Sequence, residues 1–439
     1  MTKRIPKVNF ETGSRYKRRR TRHGGRMMIY PKDIVVVILG GGKGTRLYPL
    51  TQKRAKPAVN FGGKYRLIDV PVTNCLASQL NRIFILTQFN SFSLNRHVFQ
   101  AYSREITRDG FVDIIAAEQR HTGGDWFQGT ADAVRRTMDY VLYHDPKHIL
   151  ILSGDQMYSM DYQNLLVWHT AHDADVSIAV KCSSADEIAG LGIVKADKDN
   201  CVTDFYEKPK DVSKVADFRQ CGEGLCPPER PFLASMGIYL FDTDVLLDVL
   251  DSDEMDFGKA IIPMAAQKNR MICFPFDGYW EDVGSIEAFY KANMDWRSGM
   301  GISAMFNEGN SIVTHSRQLA PTRIDGTHIS GSIIADGGNI HAARVSNSVV
   351  GTRTRIGPDT IVEDSIIMGN DRHRANGSFE IGSSCRIRKA IIDRNVVVED
   401  GVRIENREGI QEAENERFVI RSGIVVIPQD ATIPAGTII

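Results

Sequence analysis

From residue 34 to about residue 297 the chain alternates between two hydrophobic rhythms. Ile34-Val35-Val36-Val37-Ile38-Leu39 and Ile83-Phe84-Ile85-Leu86-Thr87 are short β-branched runs, the pattern of buried strands. Residues 148–153 and 175–181 read the same way. Residues 130–144 instead place Val134, Met138 and Val141 on one helical face, and residues 161–172 also read as helix. Strands alternating with helices predict an α/β fold: a mostly parallel, Rossmann-like sheet with helices on both faces. Ligands then bind beyond the carboxyl ends of the strands.

After about residue 300 the helical period stops and apolar residues recur near every sixth position. Val350, Ile356 and Val362 follow this spacing, as do Ile334 with Ile340 and Ile381 with Ile387. Gly331, Gly351, Gly357 and Gly382 fall between them. This hexapeptide rhythm predicts a parallel β-helix, whose turns stack one on the next, over an irregular β-sandwich. Residues 370–379 break the rhythm and read as an outward loop. The division expected is a basic tail over residues 1–30, an α/β domain over 31–300, a linker over 301–320 and the β-helix over 321–439.

Composition narrows the function. A chain of 439 residues is expected to hold two or three domains. Lys plus Arg equals Asp plus Glu at 54 each, so wholesale nucleic-acid binding is not expected and basic residues must act locally. No apolar run approaches a membrane span. Seven scattered cysteines point to a reducing compartment, and hence the cytoplasm. Cys221 and Cys226 are the closest pair, with no second pair at zinc spacing. The tail carries Arg15, Lys17, Arg18, Arg19, Arg20, Arg22 and Arg26 among small polar residues, too little apolar surface for a core. It is expected to be disordered and has no secretory h-region. A solvated tail or an over-extended start at Met27 or Met28 is preferred over a transit peptide.

The first candidate chemistry lies at Gly40-Gly41-Gly42-Lys43-Gly44-Thr45-Arg46, directly after the first strand. Such a loop reads either as a plain turn or as a cradle in which backbone N–H groups approach a phosphate. Lys43 and Arg46 add cations, and Arg46 can grip two oxygens at once. The loop is no P-loop, because Val37 stands where the first glycine belongs. It is no dinucleotide fingerprint either, because Thr45 or Leu47 stands at the last glycine. Two basic stretches follow, Lys53-Arg54-Ala55-Lys56-Pro57-Ala58-Val59 and Gly62-Gly63-Lys64-Tyr65-Arg66-Leu67-Ile68-Asp69. Their charges alternate with Pro, Gly and apolar residues, which suggests a polyanionic ligand rather than a solvated face. Asp155 emerges just past the strand 148–153, where a carboxylate can hold a hard cation or simply cap a turn. Asp282, in Trp280-Glu281-Asp282-Val283-Gly284, by itself reads better as a turn residue. Glu207 and Lys208, near a predicted strand end before Pro209, should face opposite ways. Thr130 reads as the N-cap of a helix and Asp132 as a complement to its positive end.

The loop, the Arg-Ala-Lys-Pro-Ala-Val block and the Tyr-Arg-Leu-Ile-Asp block together resemble the glucose-1-phosphate adenylyltransferases, or ADP-glucose pyrophosphorylases, within the sugar-nucleotidyltransferases. The resemblance spans nearly everything after residue 30. It implies a nucleotidyltransferase domain followed by a left-handed β-helix, and adenylyl transfer from ATP to glucose 1-phosphate with release of pyrophosphate, feeding glycogen or starch synthesis. It assigns Arg46 and Lys56 to the triphosphate, with Gly40, Gly41, Gly42, Lys43, Gly44, Thr45 and Phe127 at the nucleotide. Asp155 and Asp282 become ligands of Mg2+. Lys208 holds the acceptor phosphate, Glu207 a sugar hydroxyl, and Ser235 and Gly192 line the sugar pocket. Gly129 abuts the nucleotide and Gln88 contacts it. Lys53 matches an activator lysine for a phosphorylated sugar effector, while Gln429 stands where several relatives carry a lysine. A homotetramer is implied, with no nucleic acid and no membrane. Three alternatives remain: transfer from another nucleotide, a non-catalytic regulatory subunit, and a hexapeptide acyltransferase using His328 or His341. The subunit reading is weakened because Arg46, Lys56 and Asp155 are all present.

Overall fold

The computed structural model describes residues 30–103, 110–118, 126–220, 226–299, 311–371 and 379–439. The basic tail up to residue 29, Cys221, the first half of the expected linker and most of the outward loop therefore lie outside the described residues. The chain forms two compact units. One takes the described parts of 1–34, 129–150 and 164–275; the other takes 35–128, 151–163 and 276–439.

In the second unit the strand Ile34–Leu39 pairs in parallel with Arg82–Thr87, which pairs in parallel with Phe111–Ala116. The side chains of Ile34–Leu39 and Arg82–Thr87 are almost wholly buried, as expected for β-branched runs covered on both faces, whereas Phe111–Ala116 is only partly buried and exposes Asp113. The carboxyl end of His148–Ser153 flanks Ile34–Leu39, and the Gly154 amide donates to the Leu39 carbonyl. The parallel-rich sheet expected from the alternation is present. Its carboxyl ends carry both the glycine loop and Asp155.

The first unit departs from the simple parallel pattern. Phe232–Asp242 runs antiparallel to Val176–Ser183 and to Gly192–Ala196, which runs antiparallel to Val202–Glu207. Only Met271–Pro275 joins Val176–Ser183 in parallel. Gly192–Ala196 and Val202–Glu207 are joined directly by the short segment 197–201, which suits antiparallel neighbours because they need no crossover helix. A small core of Ile188, Ile193, Val215, Phe218, Phe232 and Ala234 lies beneath these strands. The helix Thr130–Leu142 buries Val134, Met138 and Val141, the face read from the sequence.

The β-helix follows the six-residue rhythm. Ile324, Ile340 and Ile356 stack in register, as do Val345, Val362, Ile387 and Ile404. Val350, Ile367, Ile392 and Ile427 form the third interior ladder. Serines repeat between turns: the Ser365 amide donates to Ser348 Oγ, and the Ala390 amide to Ser365 Oγ. A second core, including Leu47, Val59, Phe61, Phe289 and Trp296, continues into Val349, Ile366, Ile391 and Val426 of the β-helix. Gly63 suits its position through its backbone, whose φ of +85° lies in the left-handed region that favours glycine.

The cysteines correct one expectation. Cys182 and Cys226 are joined in a disulfide, a bond that the expected reducing compartment disfavours. Cys75, Cys273 and Cys385 are buried thiols, and Cys201 is half-buried. Among the described residues no helix is long and apolar enough to cross a membrane.

Candidate active site

The glycine loop, Arg46, Lys56, Asp155 and Gly284 line one open cleft in the second unit. The loop's glycines differ in purpose. The Gly40 amide donates to the Leu86 carbonyl, and a Cβ on Gly40 would sit 3.0 Å from that oxygen. Gly44 has φ +62°, and its Cβ would press on Thr51 at 2.9 Å. Thr51 Oγ1 donates to the Gly44 carbonyl and closes the turn. Both glycines serve the fold. A Cβ on exposed Gly42 would meet nothing within 4 Å, so packing does not account for that glycine. Thr45 and Arg46 follow in a short 3-10 turn and are exposed to the cleft. The ammonium of Lys43 lies over the Phe89 ring.

Lys56 is nearly buried, with 11% of its side chain exposed, and its Nζ lies 2.6 Å from Asp155 Oδ2 and 3.7 Å from Asp282 Oδ1. Burial alone would depress its pKa, but the two carboxylates outweigh burial and raise it. Asp155 shows the converse. Burial would raise its pKa, but the Lys56 charge and hydrogen bonds from Lys56 and Ser153 hold it below the usual carboxylate range. Asp155 follows Gly154, whose Cβ would clash with the Leu39 carbonyl at 3.1 Å. Asp282 does not sit in an irregular turn as read from the sequence. It ends the strand Trp280–Asp282, which pairs antiparallel with Gln156–Tyr158 and sets Asp282 opposite Gln156. That ribbon delivers the second carboxylate beside the first.

The site residues offer hard oxygen ligands, and a cation already stands between them: the Lys56 ammonium. Asp155 and Asp282 therefore fit a divalent ion such as Mg2+ by chemistry and charge.

The basic stretches divide more sharply than their spacing suggests. Arg54 is buried and faces no ligand: it donates to the Leu50 carbonyl and Asn60, and forms a close ion pair with Asp393 of the β-helix. Arg66 donates to the Ser93 carbonyl, and Lys64 lies over Tyr65. Of the charged residues in the two stretches, only Lys56 lines the cleft. Gln88 Nε2 donates to the Phe127 carbonyl, fixing the stretch that precedes Gly129.

The acceptor-side residues of the resemblance belong to the first unit. Glu207 ends the strand Val202–Glu207. Lys208 does not point away from it: with φ +48° it leaves the strand, and its Nζ lies 2.8 Å from Glu207 Oε1. The alternation rule fails because the strand stops one residue earlier. Gly192 is required here, since a Cβ would strike the Phe205 ring at 2.4 Å and Glu207 Oε2 at 2.9 Å. Ser235 Oγ lies 3.2 Å from the Tyr239 hydroxyl, beside an irregularity in the strand at Gly237. Thr130 is not the cap of its helix. Gly129 holds that position, and Thr130 Oγ1 accepts from the Phe257 amide. A Cβ on Gly129 would lie 2.0 Å from the Met255 carbonyl oxygen, so protein packing alone demands that glycine. Asp132 pairs with Arg136 at 3.0 Å.

Lys53 lies elsewhere, 2.8 Å from Asp430 and 3.4 Å from the Gln429 carbonyl. Near it the second unit gathers a cationic cluster that the sequence reading missed. Burial, then Arg66, Arg54, Arg317 and Arg353, hold the Arg394 pKa well below its ordinary value. Burial and the same kind of neighbours lower His315. No local pattern marks this convergence, because its members lie on distant segments.

Residues 35–299 match the nucleotidyl transferase family, and residues 317–438 match the GLGC left-handed parallel β-helix domain. The chain thus belongs to the nucleotidyl transferase family and carries a GLGC-type β-helix after its transferase domain.

Proposed function

We propose that this nucleotidyltransferase transfers the adenylyl group of ATP to α-D-glucose 1-phosphate, giving ADP-glucose and pyrophosphate for α-glucan (glycogen or starch) synthesis. The reading rests most heavily on one observation: Lys56 between Asp155 and Asp282, in a cleft shared with the glycine loop and Arg46. Displacement at a phosphorus needs positioning and charge neutralisation more than covalent help. The β-helix type and the sequence blocks favour ADP-glucose synthesis over other nucleotides.

In this reading the loop around Gly42 takes the triphosphate backbone, and Arg46 and Lys56 neutralise it. Asp155 and Asp282 would hold Mg2+, which supplies Lewis-acid charge at the phosphates when bound. Gln88 and Phe127 shape the nucleotide end. Lys208 holds the acceptor phosphate while Glu207, Ser235 and Gly192 receive the sugar. The enzyme acts as a cytoplasmic homotetramer, and a phosphorylated sugar binds at Lys53 to regulate it. Pyrophosphate release from ATP and glucose 1-phosphate, measured with this chain alone, tests the reading. Absence of turnover with this pair, or faster turnover with UTP, dTTP or GTP, overturns it.

A further inference from the structure

We propose that His148, His169 and Asp242 form a binding site for a borderline divalent metal ion of the Zn2+ class, separate from the nucleotide cleft. The three residues come from different elements of the first unit. His148 opens the strand whose other end leads to Asp155, and His169 lies on the helix Tyr162–Ala171. Asp242 ends the strand Phe232–Asp242 and precedes the helix Thr243–Leu250.

Their ligand atoms converge. Asp242 Oδ1 lies 3.0 Å from His148 Nδ1 and 3.2 Å from His169 Nε2, and all three atoms fall within 4.8 Å of one another. Nitrogen and oxygen ligands at tetrahedral angles around zinc are separated by about 3.3 Å, given metal–ligand bonds of about 2.0–2.1 Å. The two imidazole rings stand almost perpendicular, at 82°.

Ordinary hydrogen bonding leaves part of this arrangement unexplained. Asp242 occupies a helix N-cap, yet its carboxylate makes no capping bond. His148 Nδ1 is shut off from solvent and, despite its closeness to Asp242, is not aligned for a hydrogen bond. A nitrogen aimed at a shared central ion shows this misalignment toward a neighbouring ligand. His169 has a supporting partner as well: Ser177 Oγ lies 2.9 Å from Nδ1 and fixes the ring with Nε2 toward the site. His148 and Asp242 keep 14% and 15% of their side chains exposed.

The ligand set chooses the ion. Two imidazoles and one carboxylate suit Zn2+ or Co2+, whereas Mg2+ prefers oxygens alone. Bound there, the ion ties together one strand start, one helix and the start of a second helix.

The test uses the full chain, stripped of metal, equilibrated with Zn2+ in large excess of Mg2+ and then dialysed. The expected result is about one Zn2+ retained per chain in the wild type and in Asp155→Asn, and none in His148→Ala or Asp242→Asn. Co2+ in place of Zn2+ should give the intense visible absorption of a four-coordinate site. A wild type that keeps no Zn2+, or a His148→Ala protein that keeps it undiminished, overturns the proposal. If the variants do not fold, the wild-type Co2+ spectrum decides, and a weak six-coordinate pattern overturns the site in favour of a carboxylate bridging two imidazoles.

Discussion

The ammonium of Lys56 lies 2.6 Å from the Asp155 carboxylate and closer to it than to Asp282, at 3.7 Å. One buried cation thus holds together two carboxylates that would otherwise repel each other. The two carboxylates are thus partly charge-compensated by Lys56 before any ligand arrives.

Asp155 should be required for chemistry beyond its part in the fold. Asp155→Asn keeps the shape and removes the charge. Turnover at saturating Mg2+ should fall by at least about 100-fold while the far-ultraviolet circular dichroism stays unchanged. Near-normal turnover would remove Asp155 from the metal assignment.

The pair should also be silent near neutrality. Asp155 has a lowered pKa, so its charge is lost only as pH falls below the usual carboxylate value. Lys56 has a raised pKa, so its charge is lost only as pH rises above the usual lysine value. Between about pH 6 and about pH 9 the profile of kcat/KM should show no limb that disappears in Asp155→Asn or Lys56→Arg.

Two glycines should respond in opposite ways. Gly129→Ala forces a methyl into the Met255 carbonyl, so about 1–3 kcal/mol of stability should be lost, with the apparent melting temperature down by a few degrees. Gly42→Ala meets open space and should melt with the wild type. Its KM for ATP should nevertheless rise by about ten-fold or more if the backbone there approaches phosphate. Unchanged ATP kinetics in Gly42→Ala would count against the phosphate role of the loop.

Lys208 should act in binding the acceptor. Its side chain is 53% exposed, and its partner is the adjacent Glu207, so removal should leave folding intact. Loss of one charge-assisted phosphate contact, about 1.5–3 kcal/mol, predicts a KM for glucose 1-phosphate raised by about one to two powers of ten in Lys208→Ala. A rise confined to ATP would contradict this.

Lys53 is a half-exposed lysine tied to Asp430 by a surface ion pair worth about 0–1 kcal/mol. A phosphorylated effector could displace Asp430 at little cost. Fructose 6-phosphate or fructose 1,6-bisphosphate should activate more than 3-phosphoglycerate, and Lys53→Ala should lose the response while keeping basal activity. Stimulation by 3-phosphoglycerate alone, persisting in Lys53→Ala, would place the effector elsewhere.

The elements themselves were legible. His148–Ser153 forms the strand its apolar run predicts, and Val350, Ile356 and Val362 all point into the β-helix. The cleft was legible in part, since Arg46, Lys56 and Asp155 converge as the resemblance implied. Smaller readings failed for local reasons. Lys208 turned because the strand ended before it, and Thr130 lost its capping role to a bond from Phe257.

Periodicity determined the strands, the helical faces and the repeat, because burial of a side chain depends on its neighbours within one element. The sequence also carried the family's blocks, and with them the chemistry to expect. Only the tertiary structure decided which charges meet. Arg54 looks like a ligand cation in sequence and is instead clamped by Asp393; Lys56, two residues on, faces the cleft. His148, His169 and Asp242 carry no shared motif and come together only because three elements end at one place. Such pairings depend on how distant segments pack, and no local pattern records that.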